Sequence, residues 1–536
     1  MPDFVISEFG GINTRKEDPA NGVNLPTKIA KNVDLRGGII KPFRSDLAIK
    51  DGVSGELAIY GDDLIHGKEN PVVFTINGFE ILVYKDGGEW KRAVRRPAGR
   101  LAEAYTVDSL SQATPGSPTV KALPGDPTKV KAEPATEGWF YEMVYAVTFV
   151  RDAGGYIDES APSVFVSARN EQMAFQIVRP LLSGANSIVR WNIYRLSVGY
   201  RDTASFQKVA EVSVGLDSYD DYNLGSELAG TYKGLFSSDG VTVLRQPAPV
   251  EFDGICPTLH YGQLVGWKDE MIFVSEPNQP ESFPAQYQIP CSERIVSVQS
   301  YQGDLYAFTL NGVQRIIGSD PINVTIIPGY IGYRASSRRA TVATENGLFY
   351  AFRNGIGVIS SGQSQSITRG LLDPEYFDQI DPDSVHLAYG DGILYLFHSA
   401  GCLLFIQERG IGFVELTKIY EGAVYDRKNG VMVAAREGRA WEMWKGEGTT
   451  TAQYKQGGLV LNQPDDKRFS EIRVYGTGQF ELVIYIEGIE RSRRVLNLEG
   501  MLRDRIMRFP AGHTGREASW MLTGTGKVTE IKAVLT

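Results

Sequence analysis

The sequence predicts an all-β protein: a β-propeller of five or six blades, an inserted β-sandwich and a C-terminal β-sandwich. Three observations predict it. Between about Gly254 and Trp444 one phrase recurs, an apolar strand, a Gly-containing turn and a second apolar strand. Its copies are Asp304-Leu-Tyr-Ala-Phe-Thr-Leu-Asn-Gly-Val, Gly347-Leu-Phe-Tyr-Ala-Phe-Arg-Asn-Gly-Ile, Gly392-Ile-Leu-Tyr-Leu-Phe-His-Ser-Ala-Gly and Gly430-Val-Met-Val-Ala-Ala-Arg-Glu-Gly-Arg. Apolar strands closed by such turns signal hairpins, and a repeat of roughly forty residues is the spacing of propeller blades. Second, 58 glycines among 536 residues exceed the ordinary share of about 7%, which implies many tight turns and short strands. Third, from Gly138 to Ala229 the pattern becomes a strict two-residue alternation, the mark of half-buried strands.

In chain order, residues 1–50 are polar and Gly/Pro-punctuated, and are predicted to lie as an extended arm over something larger. Residues 51–110 predict a first blade, with strands near Leu57–Tyr60, Val72–Ile76, Glu80–Tyr84 and Trp90–Val94. Asp86-Gly-Gly-Glu-Trp90 misses the Asp-box spacing and reads as a hairpin turn. Residues 111–136 are Pro-rich and predict a linker. Residues 137–232 predict the sandwich, and 233–455 the remaining blades, divided at about 254–290, 294–328, 338–369, 384–416 and 421–455. A strand from before the insert is predicted to pair with one from after it, because closure removes edges that invite aggregation. Residues 456–536 predict the terminal sandwich.

A net charge of -9 gives no overall basic footprint for holding phosphates, which argues against a general nucleic-acid binder. It would suit a conduit through which nucleic acid slides, and equally ordinary solubility. Cys256, Cys291 and Cys402 form no Cys-x-x-Cys pair, which predicts reduced thiols and neither a disulfide framework nor a zinc site. The opening Met1-Pro-Asp-Phe-Val-Ile-Ser-Glu-Phe has no basic n-region and no long apolar core, so neither a signal peptide nor a membrane segment is expected.

The motifs of catalysis are absent from the sequence, which predicts a non-enzymatic protein without cofactor or metal. Gly524-Thr-Gly-Lys527 lacks the spacing and the final hydroxyl residue of a P-loop, and reads as a turn bearing a lysine. His66, His260, His386, His398 and His513 have no ligand spacing. Asp217, Asp220, Asp221 and Asn223 could offer oxygens to calcium, although acids at a sandwich corner ordinarily accept turn hydrogen bonds. Glu345, Asp373, Asp381 and Asp383 are the carboxylates a glycosidase could use, although Asp-Pro commonly starts turns. Two basic clusters have two readings. Arg334, Arg338 and Arg339, and Arg491, Arg493 and Arg494 with Arg503, Arg505 and Arg508, form solvated or salt-bridged faces or else subunit interfaces.

Three stretches carry a family resemblance. Glu159-Ser-Ala-Pro-Ser, Trp191-Asn-Ile-Tyr-Arg and Ser218-Tyr-Asp-Asp-Tyr-Asn resemble a fibronectin type III module, so the insert is expected to be fibronectin III-like. The order Gly10-Gly-Ile-Asn-Thr-Arg, a Pro-containing gap, Ala30-Lys-Asn and Gly37-Gly-Ile-Ile-Lys-Pro-Phe-Arg44 resembles the opening of nozzle (tail tubular B) proteins of short-tailed bacteriophages. Phe469-Ser-Glu-Ile-Arg-Val-Tyr-Gly-Thr-Gly and Trp520-Met-Leu-Thr-Gly-Thr-Gly are similar to the terminal sandwich of phage tail proteins. The resemblance implies a structural virion protein of the tail. Six copies would ring a channel below an adaptor protein attached to the portal, support tail fibres or a needle, and pass double-stranded DNA without sequence specificity. The alternative is a carbohydrate-binding or carbohydrate-active propeller.

Overall fold

The computed structural model describes residues 3–6, 27–36, 39–60, 62–95, 107–124, 128–129, 140–182, 188–197, 206–223, 245–247, 252–407, 412–456, 459–460, 467–498, 503–508, 514–515 and 517–535. They fall into two compact units: 1–59 with 311–313 and 330–536, and 60–310 with 314–329. The fold is a β-propeller with an inserted fibronectin III-like sandwich and a C-terminal sandwich.

The second unit contains three four-stranded blades. The first runs Glu69–Ile76, Phe79–Asp86, Glu89–Arg95 and Val107–Ser109; the others run from Gly254–Ile255 to Gln288–Pro290 and from Ile295–Tyr301 to Thr325–Ile326. Two-residue turns join the first three strands of the first blade. Asn77 and Gly78 both have positive φ, 50° and 77°, the backbone of a type I′ turn whose twist matches that of paired strands. Leu57–Tyr60, expected as the opening strand of this first blade, is not in its ladder. Ala58–Tyr60 pairs instead with Asp63–Ile65 as a two-stranded ribbon, and the buried Tyr60 ring lies on Leu82, Tyr84 and Ala93. Val107–Ser109 takes the fourth place, pairing with Lys91–Ala93.

The inserted sandwich has one sheet of Thr119–Ala122, Phe175–Val178 and Ser218–Asp221, and another centred on Tyr141–Ala153 and Ile188–Ser197. Tyr145, Val147, Phe149, Phe175, Ile177, Trp191 and Ile193 meet between them, as alternation requires. The Trp191 indole, wholly buried, donates to the Leu216 carbonyl at 3.1 Å. The Pro-rich 111–136 segment therefore contributes the strand Thr119–Ala122, in register with Phe175–Val178, and is more than a linker.

The first unit contains three more blades. Thr341–Thr344 to Gln363–Ser366 forms one, His386–Gly390 to Gly412–Leu416 the next, and Gly422–Asp426 to Arg439–Glu442 the last. Leu47–Asp51, from before the insert, completes the last blade by pairing with Arg439–Glu442. Asp46, immediately before that strand, is buried and accepts from Lys418 Nζ at 2.8 Å, Tyr420 Oη at 2.9 Å and Arg436 Nη1 at 3.0 Å. A carboxylate so desolvated is tolerable because two cations and a hydroxyl replace its water.

The arm strand Thr27–Lys31 is inserted between the blade strand Gly412–Leu416 and the strand Ala452–Gln456. One ten-stranded sheet results, running from His386–Gly390 through the arm strand to Glu517–Gly524, Gln479–Ile486 and Ile489–Asn497 of the terminal sandwich. Asn32 fixes the join: its amide donates to the Glu415 carbonyl at 2.7 Å, and its side-chain oxygen accepts from the Thr417 amide at 3.1 Å. The other sheet of the terminal sandwich orders Asp3–Ile6, Lys527–Leu535, Lys467–Thr477 and Arg503–Arg508, so the first strand pairs with the last. The described strands of the arm, Asp3–Ile6 and Thr27–Lys31, are thus members of sheets formed by their own chain.

Candidate functional site

The densest chemistry lies in the second unit, where the first blade meets the sandwich hairpin Tyr141–Ala153 to Tyr156–Glu159. Trp90, Arg92 and Val94 are alternate residues of one blade strand, and all three are buried, which carries Arg92 inward. Arg151 follows Val147 and Phe149 along the sandwich strand, at a register shift between Val150 and Arg151. Both guanidinium groups converge on Asp158. Arg92 Nη2 lies 2.8 Å and Arg151 Nη2 2.7 Å from its carboxylate oxygens, and the side chains are 1%, 0% and 0% exposed. Gln112 Nε2 donates to the same carboxylate at 3.1 Å, and Arg151 also donates to the Ser109 carbonyl at 2.9 Å.

Glu281 stands on the other side of Arg92, its Oε2 3.5 Å from Nη1, and accepts from the Tyr156 hydroxyl at 3.1 Å. Burial, then the Asp158 charge, pushes the Glu281 carboxyl up to about 7. Burial would raise Asp158 too, but Arg92 and Arg151 outweigh it and hold that carboxyl below its ordinary range. The two carboxyls are thus driven apart: one stays charged between arginines, the other holds a proton near neutral pH. A cavity of about 450 Å³ opens beside them, with Phe79, Tyr156, Asn77, Asn278 and Gln279 in its wall. Glu281 has the proton affinity of a general acid. Asp158 cannot act as its nucleophilic partner, since both its oxygens are taken and its side chain is sealed from solvent. Chemically the cluster is a buried ion-paired joint, in which one carboxylate answers two guanidinium groups.

The residues singled out in the sequence go to separate places. Arg338 pairs with Glu56, and Arg339 donates to the Glu421 carbonyl at 3.1 Å. Arg334 lines a cavity of about 440 Å³ with Arg353, Asp378 and Asp383. Arg491, Arg493 and Arg494 are exposed on Ile489–Asn497, the last strand of the ten-stranded sheet. Arg493 is held by Glu490 at 2.9 Å and Glu481 at 3.0 Å. The side chains of Arg503, Arg505 and Arg508 lie outside the described residues.

Glu345 accepts from the Tyr389 hydroxyl at 2.7 Å, and that bond lowers its pKa, the wrong direction for a general acid. Asp381 caps a short 3-10 turn by accepting from the Asp383 amide at 3.1 Å, and Asp373 precedes another. At the sandwich corner Asp217 pairs with Arg179 at 2.6 Å, Asp220 accepts from Gln176 at 3.1 Å, and Asp221 takes Arg195 and the Tyr145 hydroxyl. These corner acids therefore answer internal donors. His398 is buried at the end of a central blade strand, and burial lowers it to about 4. His513 lies outside the described residues.

No family model and no curated protein matches the chain. Among solved structures, the extracellular domain of a one-component system from B. thetaiotaomicron aligns with 90% of this chain and 75% of its own, at 9% identity and a TM-score of 0.28. Exo-beta-1,3-galactanase from Phanerochaete chrysosporium aligns with 91% and 100% respectively, at 8% identity and a TM-score of 0.20. Apo AztD from Citrobacter koseri aligns with 72% and 99%, at 8% identity and a TM-score of 0.27. At such scores neither substrate nor activity passes from those proteins to this one.

No helix among the described residues is long and apolar enough to cross a membrane.

Proposed function

We propose that the chain is a structural subunit of a short-tailed bacteriophage tail, a nozzle or tail-tube component of the virion. The observation that supports it is the ten-stranded sheet. A subunit that bears load must not hinge between its modules. Here the arm strand Thr27–Lys31 bonds a propeller blade to the terminal sandwich through a continuous ladder, where an ordinary linker would leave both to swing. The resemblance at Gly10–Arg44 and Phe469–Gly478 points the same way, as does the acidic balance of -9, which disfavours adhesion of passing DNA. In this reading six copies close a ring under the adaptor, hold fibres or a needle, and line a route for double-stranded DNA without reading its sequence. Heterologous contacts that close on rotation build such rings.

The test is assembly. The full chain, alone and mixed with the cognate portal and adaptor, is weighed by mass photometry and imaged in negative stain. A closed ring with a central hole that admits a duplex is expected in at least one sample. A chain that remains monomeric in both sinks the tail reading.

The second reading, a carbohydrate-binding propeller, is favoured by the 450 Å³ cavity, where the Phe79 and Tyr156 rings stand among amide side chains. Aromatic faces with planar polar groups suit sugar rings. Retention of the chain on a glycan array, with no ring in the assembly test, would select it.

A further inference from the structure

A different cavity, in the first unit, has a charge pattern that neither reading uses. It measures about 590 Å³ and is walled by the foot of the arm, the segment after the last blade and two turns at which the terminal sandwich crosses from one sheet to the other. Arg36, Lys41, Arg44 and Lys527 all line it, and Asp34 is the single carboxylate in its wall. Asp34 is already neutralised: Arg36 grips it with Nε at 3.0 Å and Nη2 at 3.1 Å, and Lys41 Nζ lies 3.1 Å away. Arg44 and Lys527 are exposed and have no carboxylate partner among the described residues. A chain whose net charge is -9 thus gathers four cations around one concave space.

The wall also has the right hydrogen-bonding character. Thr477 and Thr525 sit at the two crossing turns, next to Gly478 and Gly526. The two turns nest backbone to backbone, since a Cβ on Gly526 would stand 2.0 Å from the Thr477 carbonyl oxygen. The glycines of Gly524-Thr-Gly-Lys527 serve this close approach, and it brings Lys527, Thr477 and Thr525 into the wall of one cavity. Phe43 and Trp444, stacked with centroids 4.4 Å apart, form an apolar part of the lining.

We infer that this cavity binds a phosphate oxyanion, held by Arg44 and Lys527 and completed by Lys41, Arg36 and the threonine hydroxyls. Guanidinium and ammonium groups with hydroxyl donors are the complement of a tetrahedral oxyanion. The source is either a small phosphorylated molecule or the phosphodiester backbone of a nucleic acid, and the chemistry is shared.

The experiment titrates the full chain calorimetrically with pyrophosphate and, separately, with a short DNA duplex at several salt concentrations. The comparison is Arg44→Glu/Lys527→Glu, whose two positions are exposed, and an unchanged thermal melt confirms that the variant folds. Wild type is expected to bind one or both ligands, and the double variant to bind at least about tenfold more weakly, because two charge-assisted contacts are reversed in sign. On the duplex, loss of two phosphate contacts lowers the salt slope by about 2. Binding of pyrophosphate alone identifies a small phosphorylated ligand; duplex binding with the reduced slope identifies the nucleic-acid backbone. Absence of binding by wild type, or equal binding by the double variant, overturns the site. Ring assembly is read separately by mass, so failure of one leaves the other standing.

Discussion

At the scale of residues, the Glu281 carboxyl is the group whose environment makes a measurable demand on the fold. In the folded chain it holds its proton up to about pH 7, against an ordinary value of 4.5. Between those values the folded state binds a proton that the unfolded state has released, so stability falls as pH rises through the window and is level above it. A shift of this size corresponds to roughly 3 kcal/mol. Glutamine at this position mimics the protonated acid and removes the titration. The melting temperature of wild type relative to Glu281→Gln is therefore expected to drop between pH 4.5 and 7.5, and the difference cancels the titrating groups remote from Glu281. Parallel curves for the two proteins would refute the assignment. Asp158 acts in the opposite sense. Its pKa is lowered, so its contribution is present above its ordinary range and disappears only in stronger acid, outside the Glu281 window.

At the scale of elements, the arm strand has the most to lose. Ala30 is fully buried in Thr27–Lys31 and in register with Tyr454 of Ala452–Gln456. Proline at this site deletes a donor from a strand flanked on both sides and crowds its neighbour, at a cost of about 3 kcal/mol. Ala30→Pro is expected to bring protease cleavage in the 445–460 segment within reach at concentrations that spare wild type; an unchanged digestion pattern would show that the arm does not carry the join. This strand also marks where sequence reasoning ran out. The blades could be read because each is a chain of hairpins: Ile393–His398 and Gly401–Ile406 are neighbours in sequence and in space. Thr27–Lys31 bonds to strands about four hundred residues away, and no local period records that pairing. Val107–Ser109 and Thr119–Ala122 were hidden by brevity and by the prolines around them. The cluster on Asp158 joins residues from four separate stretches. The available signal was Arg92, a charge at the same alternate position as Trp90 and Val94, where a strand with one buried face should carry an apolar side chain.

At the scale of the whole molecule, the cores decide how the chain should melt. One large apolar cluster joins Ala30, the blade residues Phe349, Leu394 and Leu404, and Trp520 of the terminal sandwich, all in the first unit. The clusters around Phe252, around Val265 and Leu305, and around Trp191 are all in the second. Two units with separate cores are not bound to unfold together, and chains of this size commonly depart from two-state behaviour. Calorimetry is expected to resolve two transitions. Ala30→Pro should lower one of them. Trp191→Phe, which shrinks a fully buried side chain and removes the indole bond to Leu216, should lower the other at a cost of about 1–3 kcal/mol. For units of a few hundred residues each kcal/mol moves the midpoint by about 2–4 °C, so the two displacements are separable. A single transition lowered by both substitutions would mean that the cores of the two units unfold together and the chain melts as one body.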